Sequence, residues 1–336
     1  MVSARDPHQR IDRPRIAVPR WLTPLLQVAV SAGLLAALIA VVDWNRLRAA
    51  ADALSLETLI TVGIVFLAAQ ASLVLRWRAL IDMLGVREPW SRSWHSVFAG
   101  LFLSNFLPGT LGSDGLRVVL LTKSCGRASI AIGAIAYERL MQLALYILVV
   151  VAAALAPMPW LEPWLRALIV GIGSGAVLTI VFVLYWLGQR SMEGGLAGGG
   201  LVRAVWRLSA TILVETGRMQ TRMRRHRRAA AGFWAASLLY VGLVIAAWLI
   251  VLRAIGEPVA LAAIVLSAGG AAVAAAVPIS LNGIGIFEAT AVALLGLSGV
   301  PASHGFLVAL VLRAAVVATT FLGLPGAVLL WRERRS

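Results

Sequence analysis

Ser104-Asn105-Phe106-Leu107-Pro108-Gly109-Thr110-Leu111-Gly112-Ser113-Asp114-Gly115-Leu116-Arg117 is an apolar run broken by Pro, Asn and Gly and then joined to a carboxylate. The other half of the chain repeats the pattern in Pro278-Ile279-Ser280-Leu281-Asn282-Gly283-Ile284-Gly285-Ile286-Phe287-Glu288. In lipid an unpaired backbone N–H or C=O costs several kcal/mol, so such a break is stable only against protein or a wet cavity. Paired Gly/Pro-interrupted segments at corresponding places in two halves point to the substrate site of a transporter. Pro108, Gly109 and Gly112 make the first break; Pro278, Gly283 and Gly285 make the second. Asn105 and Asn282 suit these places because Asn satisfies freed backbone groups and tolerates left-handed geometry.

Working outward, the composition is that of a membrane protein. The 336 residues are 60% hydrophobic and only 13% charged, with a mean hydropathy of +0.88; soluble domains are nearer a quarter charged. Full spans are expected at Leu22–Val42, Leu56–Leu75, Ala128–Leu155, Leu165–Leu187, Phe233–Leu252 and His304–Trp331. Trp94–Leu107 with Leu111–Thr122, and Val259–Val277 with Ile284–Leu297, are shorter pieces and read as two helical hairpins, re-entrant or broken. Residues 1–20 and 332–336 read as basic tails, 21–331 as one transmembrane domain and 188–229 as a basic linker. Within that linker Val205, Leu208, Ile212, Met219 and Met223 fall on one helical side, and arginines largely on another. That pattern fits either a helix lying on a membrane surface or a solvated basic linker.

The net charge of +15 is a topology signal. Of the 30 Lys and Arg residues, 24 fall in segments on one side and four on the other, with Arg139 and Arg313 inside spans. Positive charge marks the cytoplasmic side, so both termini are expected inside a bacterial inner membrane, with anionic lipids at the cytoplasmic surface as partners. No nucleic-acid-binding signature accompanies the charge, so nucleic acid is not an expected partner. The sidedness relates 56–155 to 233–331 by inversion. An offset of 174 residues aligns Gly109 with Gly283, Asp114 with Glu288 and Arg139 with Arg313. The single Cys125 rules out an intrachain disulfide and reads as a small apolar filler. His95 and His304 have no metal-ligand partner at useful spacing, so neither cofactor nor metal is expected.

Charges inside the membrane carry the functional reading. Arg139 lies about eleven and Arg313 about nine residues into its span, near the midplane at a rise of about 1.5 Å per residue. An ionised group there costs from ~3 to more than 10 kcal/mol unless paired or hydrated. Asp114 and Glu288 are therefore expected beside the two arginines, with Glu138 as a third acid. Such pairs either lock hairpins to helices or also hold an anionic headgroup, which the planar fork of Arg suits. Arg117 is a further binding candidate; a place closer to the cytoplasmic interface also lets it snorkel.

Asn105-Phe106-Leu107-Pro108-Gly109 leading to Gly112-Ser113-Asp114-Gly115-Leu116-Arg117, Glu138-Arg139-Leu140, and Pro278-x-Ser280 leading to Gly283-Ile284-Gly285-Ile286-Phe287-Glu288 together resemble the lysylphosphatidylglycerol synthase transmembrane region, a flippase-like domain family. The resemblance covers roughly 22–331. It implies an integral inner-membrane protein moving an anionic, aminoacylated, polyprenyl-phosphate-linked or glycosylated lipid between leaflets, with two re-entrant hairpins around a central cavity. The candidate substrate-binding set, drawn from the intramembrane charges and the breaks, is Arg139, Arg313, Glu138, Asp114, Glu288, Arg117, Asn105 and Asn282. The family often has Gly where Ser113 stands and Gly-Gly where Asn282-Gly283 stands; both changes are small and polar, and they bear on headgroup choice. The soluble aminoacyl-transfer domain is not expected, and with it lysyl transfer. The alternatives are an accessory subunit of a lipid or envelope biosynthesis complex and a membrane enzyme on a lipid-linked substrate. The sequence leaves the lipid, its direction, the energy source and the oligomeric state open.

Overall fold

The computed structural model describes residues 22–106, 111–189, 201–277 and 279–332, and these residues form helices and turns. Pro108, Gly109 and Pro278 lie outside the described residues. Five helices are long and apolar enough to cross a membrane, six if one bent pair counts as a single span. The chain is a multi-pass membrane protein.

α1 (Leu22–Val41) turns sharply into α2 (Trp44–Asp52), with 88° between their axes. The expected outer loop after the first span is therefore helical. Its cause is local: the Asp43 carboxylate accepts from Asn45 N–H at 3.0 Å and Arg46 N–H at 3.2 Å, starting a new helix. α3 (Leu56–Met83) starts on Ser55, whose hydroxyl accepts from Thr58 N–H at 3.1 Å. It does not end at Leu75. Between Leu75 and Gly85 no Gly or Pro interrupts it, and Gly85 takes φ +72° just past the end. Arg76-Trp77-Arg78 thus lies within a helix and not in the expected loop. Arg117 also sits within a helix and, like Arg76, is buried; removing these two buried arginines from the 24 basic residues on the expected inner side leaves 22 against four, with the same sign.

The first pair of short helices is α4 (Trp90–Ser104) and α5 (Leu111–Cys125), and α6 (Ala128–Ala154) and α7 (Pro163–Gln189) follow. α8 (Leu201–Arg225) and α9 (Arg227–Ala254) meet at His226. The second short pair is α10 (Leu261–Ala276) and α11 (Ile286–Leu297), joined through a 3-10 turn at Leu281–Gly283. α12 (Ala302–Thr320) passes through a 3-10 turn, Phe321–Gly323, into α13 (Leu324–Arg332), so the last span is interrupted. At 12 to 16 residues, the short helices reach only about 18–24 Å, against roughly 30 Å of hydrocarbon. The order long, short, short, long thus occurs twice, as α3–α6 and α9–α12.

Two cores hold these sets. One gathers Trp77, Leu80, Phe98, Tyr137, Met219 and Phe233. The other gathers Phe66, Trp248, Ile264, Leu295, Val308 and Leu312. α3 and α9 contribute to both and pack along each other, so they form the spine joining the halves. α7 turns Ile172, Leu178 and Phe182 outward. Lipid is as apolar as these side chains, so close packing and polar contacts, not area burial, decide helix association. α4 and α5 illustrate this: a Cβ on Gly112 would lie 2.5 Å from the backbone of Leu103 and Ser104. Gly112→Val is expected to separate the two helices and cost about 1–3 kcal/mol, the usual range for overpacking, read as a lower melting temperature. Gly115→Ala, where nothing lies within 4 Å of the new Cβ, is expected to leave that temperature unchanged or raise it.

The described part of the basic linker packs against protein. Val214, Met219 and Met223 of α8 are buried, and the helix packs on α6 and α7. Gly133 of α6 permits the approach, since a Cβ there would meet Glu215 at 2.8 Å, and Tyr137 Oη donates to Gln220 at 2.5 Å. The apolar stripe is real, but protein covers it where it is described. The side chains of Val205 and Leu208 lie outside the described residues.

Candidate functional site

The first break delivers Asp114 to the first turn of α5, where an acid is favoured by the helix dipole. Its Oδ1 accepts from Arg139 Nη2 at 2.7 Å and Arg117 Nη2 at 2.8 Å, and its Oδ2 accepts from Arg139 Nε at 2.9 Å. Arg139 follows Glu138 directly on α6, and neighbours on a helix point about 100° apart. Glu138 therefore faces elsewhere. It is 1% exposed; Arg76 Nη2 lies 2.8 Å from its Oε1 and Arg117 Nη1 2.8 Å from its Oε2. Arg76 also donates to Gln142, one turn on from Glu138. The Arg117 guanidinium sits 5.0 Å over the Trp77 ring. The result is a chain of charges, Arg76–Glu138–Arg117–Asp114–Arg139, running from α3 through α6 to α5.

Its ends differ. Arg76 and Arg117 are buried, whereas the Arg139 side chain is 42% exposed. The named contacts of Arg139 use Nε and Nη2. Ser113 stands beside it, its hydroxyl 3.1 Å from Nη2 and its N–H donating to Ser104 Oγ at 3.0 Å. Three arginines and two carboxylates make the chain net positive by one charge.

The second break repeats the pairing. Glu288 lies in the first turn of α11, is 1% exposed, and accepts from Gly285 N–H at 2.7 Å. Its other oxygen meets Arg313 Nε on α12. Arg313 Nη2 reaches the Gly283 carbonyl at 3.3 Å, and its side chain is 26% exposed. Asp114 and Arg139 are 25 residues apart in sequence, as are Glu288 and Arg313, so the same acid–arginine tie closes each half. Here the pair is neutral, and its contacts hold the break itself. Asn282 takes φ +50°, the left-handed place expected for it, and Gly283 and Gly285 take φ +73° and +84°, where a side chain would be strained. Ser31 of α1 accepts from Leu281 N–H at 2.9 Å, satisfying a donor freed by the break.

Asn105 departs from expectation. It is right-handed, at φ −71°, and donates to Thr320 Oγ1 at 2.7 Å, tying the first hairpin to the end of α12. Arg117 does not snorkel; burial between two carboxylates fixes it. Arg76, Gln142 and Ser113 contact the charge chain and were not in the candidate binding set drawn from the sequence. The available signal was that one buried carboxylate with four lone-pair positions needs more than one cation. His304 hydrogen-bonds to Glu257 at the α9–α10 turn. No group of three or more His, Cys, Asp or Glu able to hold a metal occurs among the described residues.

The family model for the lysylphosphatidylglycerol synthase TM region matches residues 25–323. The chain belongs to that family. The match runs from α1 to the turn after α12 and so includes both breaks and both acid–arginine ties. Membership makes this a membrane protein of a lipid-related family, matched in its transmembrane region. No curated protein and no solved structure matches the chain in the comparisons.

Proposed function

We propose that this protein is a flippase-like transporter that moves a lipid with an anionic or polar headgroup between leaflets of the bacterial inner membrane. The observation that carries this reading is the unequal charge chain of the first half. An ion network built only to lock helices would be expected to balance. This one keeps one positive charge in excess and presents it at Arg139, its exposed end. A phosphate-bearing headgroup restores neutrality there, taking bonds from Arg139 Nη1 with Ser113 alongside. Asp114 then stays held by Arg117, so the site accepts an anion without stranding a buried carboxylate. Arg313, partly exposed, is the corresponding contact in the second half, and Glu288, Asn282 and Asn105 keep the breaks in shape around it.

The two long–short–short–long sets, with equivalent ties, are read as inverted repeats whose short pairs are re-entrant hairpins. Rocking of one set against the other exposes the site to each leaflet in turn, the usual scheme for repeats of this kind. The acyl tails stay in the bilayer, which limits the cost of crossing to that of the headgroup. Residues 21–331 form the transporting domain, with basic tails 1–20 and 332–336 on the cytoplasmic side.

The test is reconstitution into proteoliposomes with fluorescent lipids of different headgroups, following access to an external quencher. The expected result is movement of phosphatidylglycerol or another anionic lipid well above that of phosphatidylcholine. Equal movement of all lipids, or of none, would count against the assignment and favour an accessory or enzymatic role.

A further inference from the structure

A second basic feature lies away from both breaks, in a cavity of about 910 Å³ where the end of α3, the start of α4 and the α8–α9 junction meet. Arg78, Arg225, Arg227 and Arg228, with His226, line one end of it, against a single acid, Asp82. Leu75, Ala235, Ala236 and Leu239 line the other end. Polarity changes in the same sense along both helices: from Asp82 and Arg78 back to Leu75 on α3, and from Arg227 and Arg228 forward to Leu239 on α9. At about 1.5 Å per residue the α9 gradient extends roughly 18 Å, which is the depth from a headgroup into the upper acyl chain. Leu75 and Leu239 remain exposed, so the apolar end is open.

The basic end is built as well as charged. The Arg78 guanidinium stacks 4.7 Å over the Trp90 ring and donates to the Glu88 carbonyl, which fixes its position. Trp90 is exposed, and Trp concentrates at headgroup level. α8 breaks at His226, and the first turn of α9 has no side-chain cap. Gly232 lines the cavity without a side chain to fill it, and a Cβ there would meet only Ala79 within 4 Å, at 3.8 Å.

We infer that this cavity is a binding site for one anionic glycerophospholipid of the adjoining leaflet, its phosphate among the arginines and its upper acyl chains along Leu75, Ala235 and Leu239. Charge complementarity chooses an anionic headgroup over a zwitterionic one, and the open apolar end chooses a lipid over a soluble anion. The site is separate from Arg139 and stands whether or not the chain flips lipids. It anchors the α8–α9 elbow to the membrane surface and concentrates anionic lipid beside the spine helices.

The test uses the full chain carrying Arg139→Ala, which removes the main headgroup contact of the central site, purified in mild detergent and studied by native mass spectrometry with phosphatidylglycerol, phosphatidylcholine and inorganic phosphate. Retention of phosphatidylglycerol is expected to exceed that of phosphatidylcholine by at least about tenfold, as several arginines near one phosphate imply. Excess inorganic phosphate is expected not to displace it. The exposed-residue variant Arg225→Gln/Arg227→Gln/Arg228→Gln should bring the two lipids level. Ala235→Trp, which fills the apolar end and leaves every charge in place, should also reduce phosphatidylglycerol retention. Equal retention of both lipids in the unsubstituted cavity, a preference that survives both variants, or ready displacement by phosphate would overturn the assignment.

Discussion

Glu138→Ala is expected to be the most damaging single substitution in the chain. It removes the carboxylate that neutralises both Arg76 and Arg117, which lie within hydrogen-bonding distance of it and are themselves buried. Arg117 retains Asp114, but Arg76 is left with Gln142, a neutral partner. Breaking a buried ion pair from one side typically costs about 3–5 kcal/mol, because a charge is left stranded. Glu138→Gln preserves the shape and still strands the charge, so it is expected to be nearly as harmful. Adding Arg76→Gln to Glu138→Gln should recover part of the loss, since the stranded cation is then gone. Melting followed by tryptophan fluorescence, with size-exclusion profiles, checks this. If Glu138→Gln melted within a degree or two of the parent, the buried chain would not be the tie described.

Arg139→Ala is expected to behave in the opposite way. Arg139 is the exposed end of the chain, and removing it leaves Asp114 paired with Arg117 at 2.8 Å. The five-residue chain becomes a balanced four. Stability should change little, by about 0–1 kcal/mol, as for ion pairs open to solvent. Translocation of an anionic lipid should fall at least tenfold, which corresponds to about 1.4 kcal/mol, close to the lower end of the about 1.5–3 kcal/mol typical of a hydrogen bond to a charged group. Arg139→Lys keeps the charge but loses the planar fork, and an intermediate rate is expected. Loss of transport without loss of fold is the signature that separates a headgroup contact from a structural tie.

Much of this arrangement was legible in the sequence because it rests on cost. Intramembrane charges must find partners, so Asp114 and Glu288, aligned with each other across an offset of 174 residues, could be expected beside Arg139 and Arg313, aligned by the same offset. Breaks in lipid must be satisfied, so Gly283, Gly285 and the left-handed Asn282 were readable in kind. Other features were not legible, for identifiable reasons. Arg76-Trp77-Arg78 looks like the end of a span because charge counting treats a basic cluster at an apolar edge as a loop. Only the partner on α6 shows that Arg76 belongs inside. Glu138 was expected as a third acid near Arg139 and Arg313, yet helix geometry turns it away from the adjacent Arg139 and onto Arg76 and Arg117. The stripe on α8 said that one face was covered, not that α6 and α7 covered it. Asp43, able to cap a helix directly after an apolar span, was the signal for the bend into α2.

The account turns on Arg139, and one measurement addresses it most directly. Proteoliposomes carrying the parent protein, Arg139→Ala or Arg139→Lys would be compared for movement of fluorescent phosphatidylglycerol between leaflets, each preparation first shown to melt at the parent temperature. The account predicts rapid movement with the parent, an intermediate rate with Lys and a rate at least about tenfold lower with Ala. Parent-like movement by folded Arg139→Ala would contradict it and leave the charge chain as a device for holding α3, α5 and α6 together.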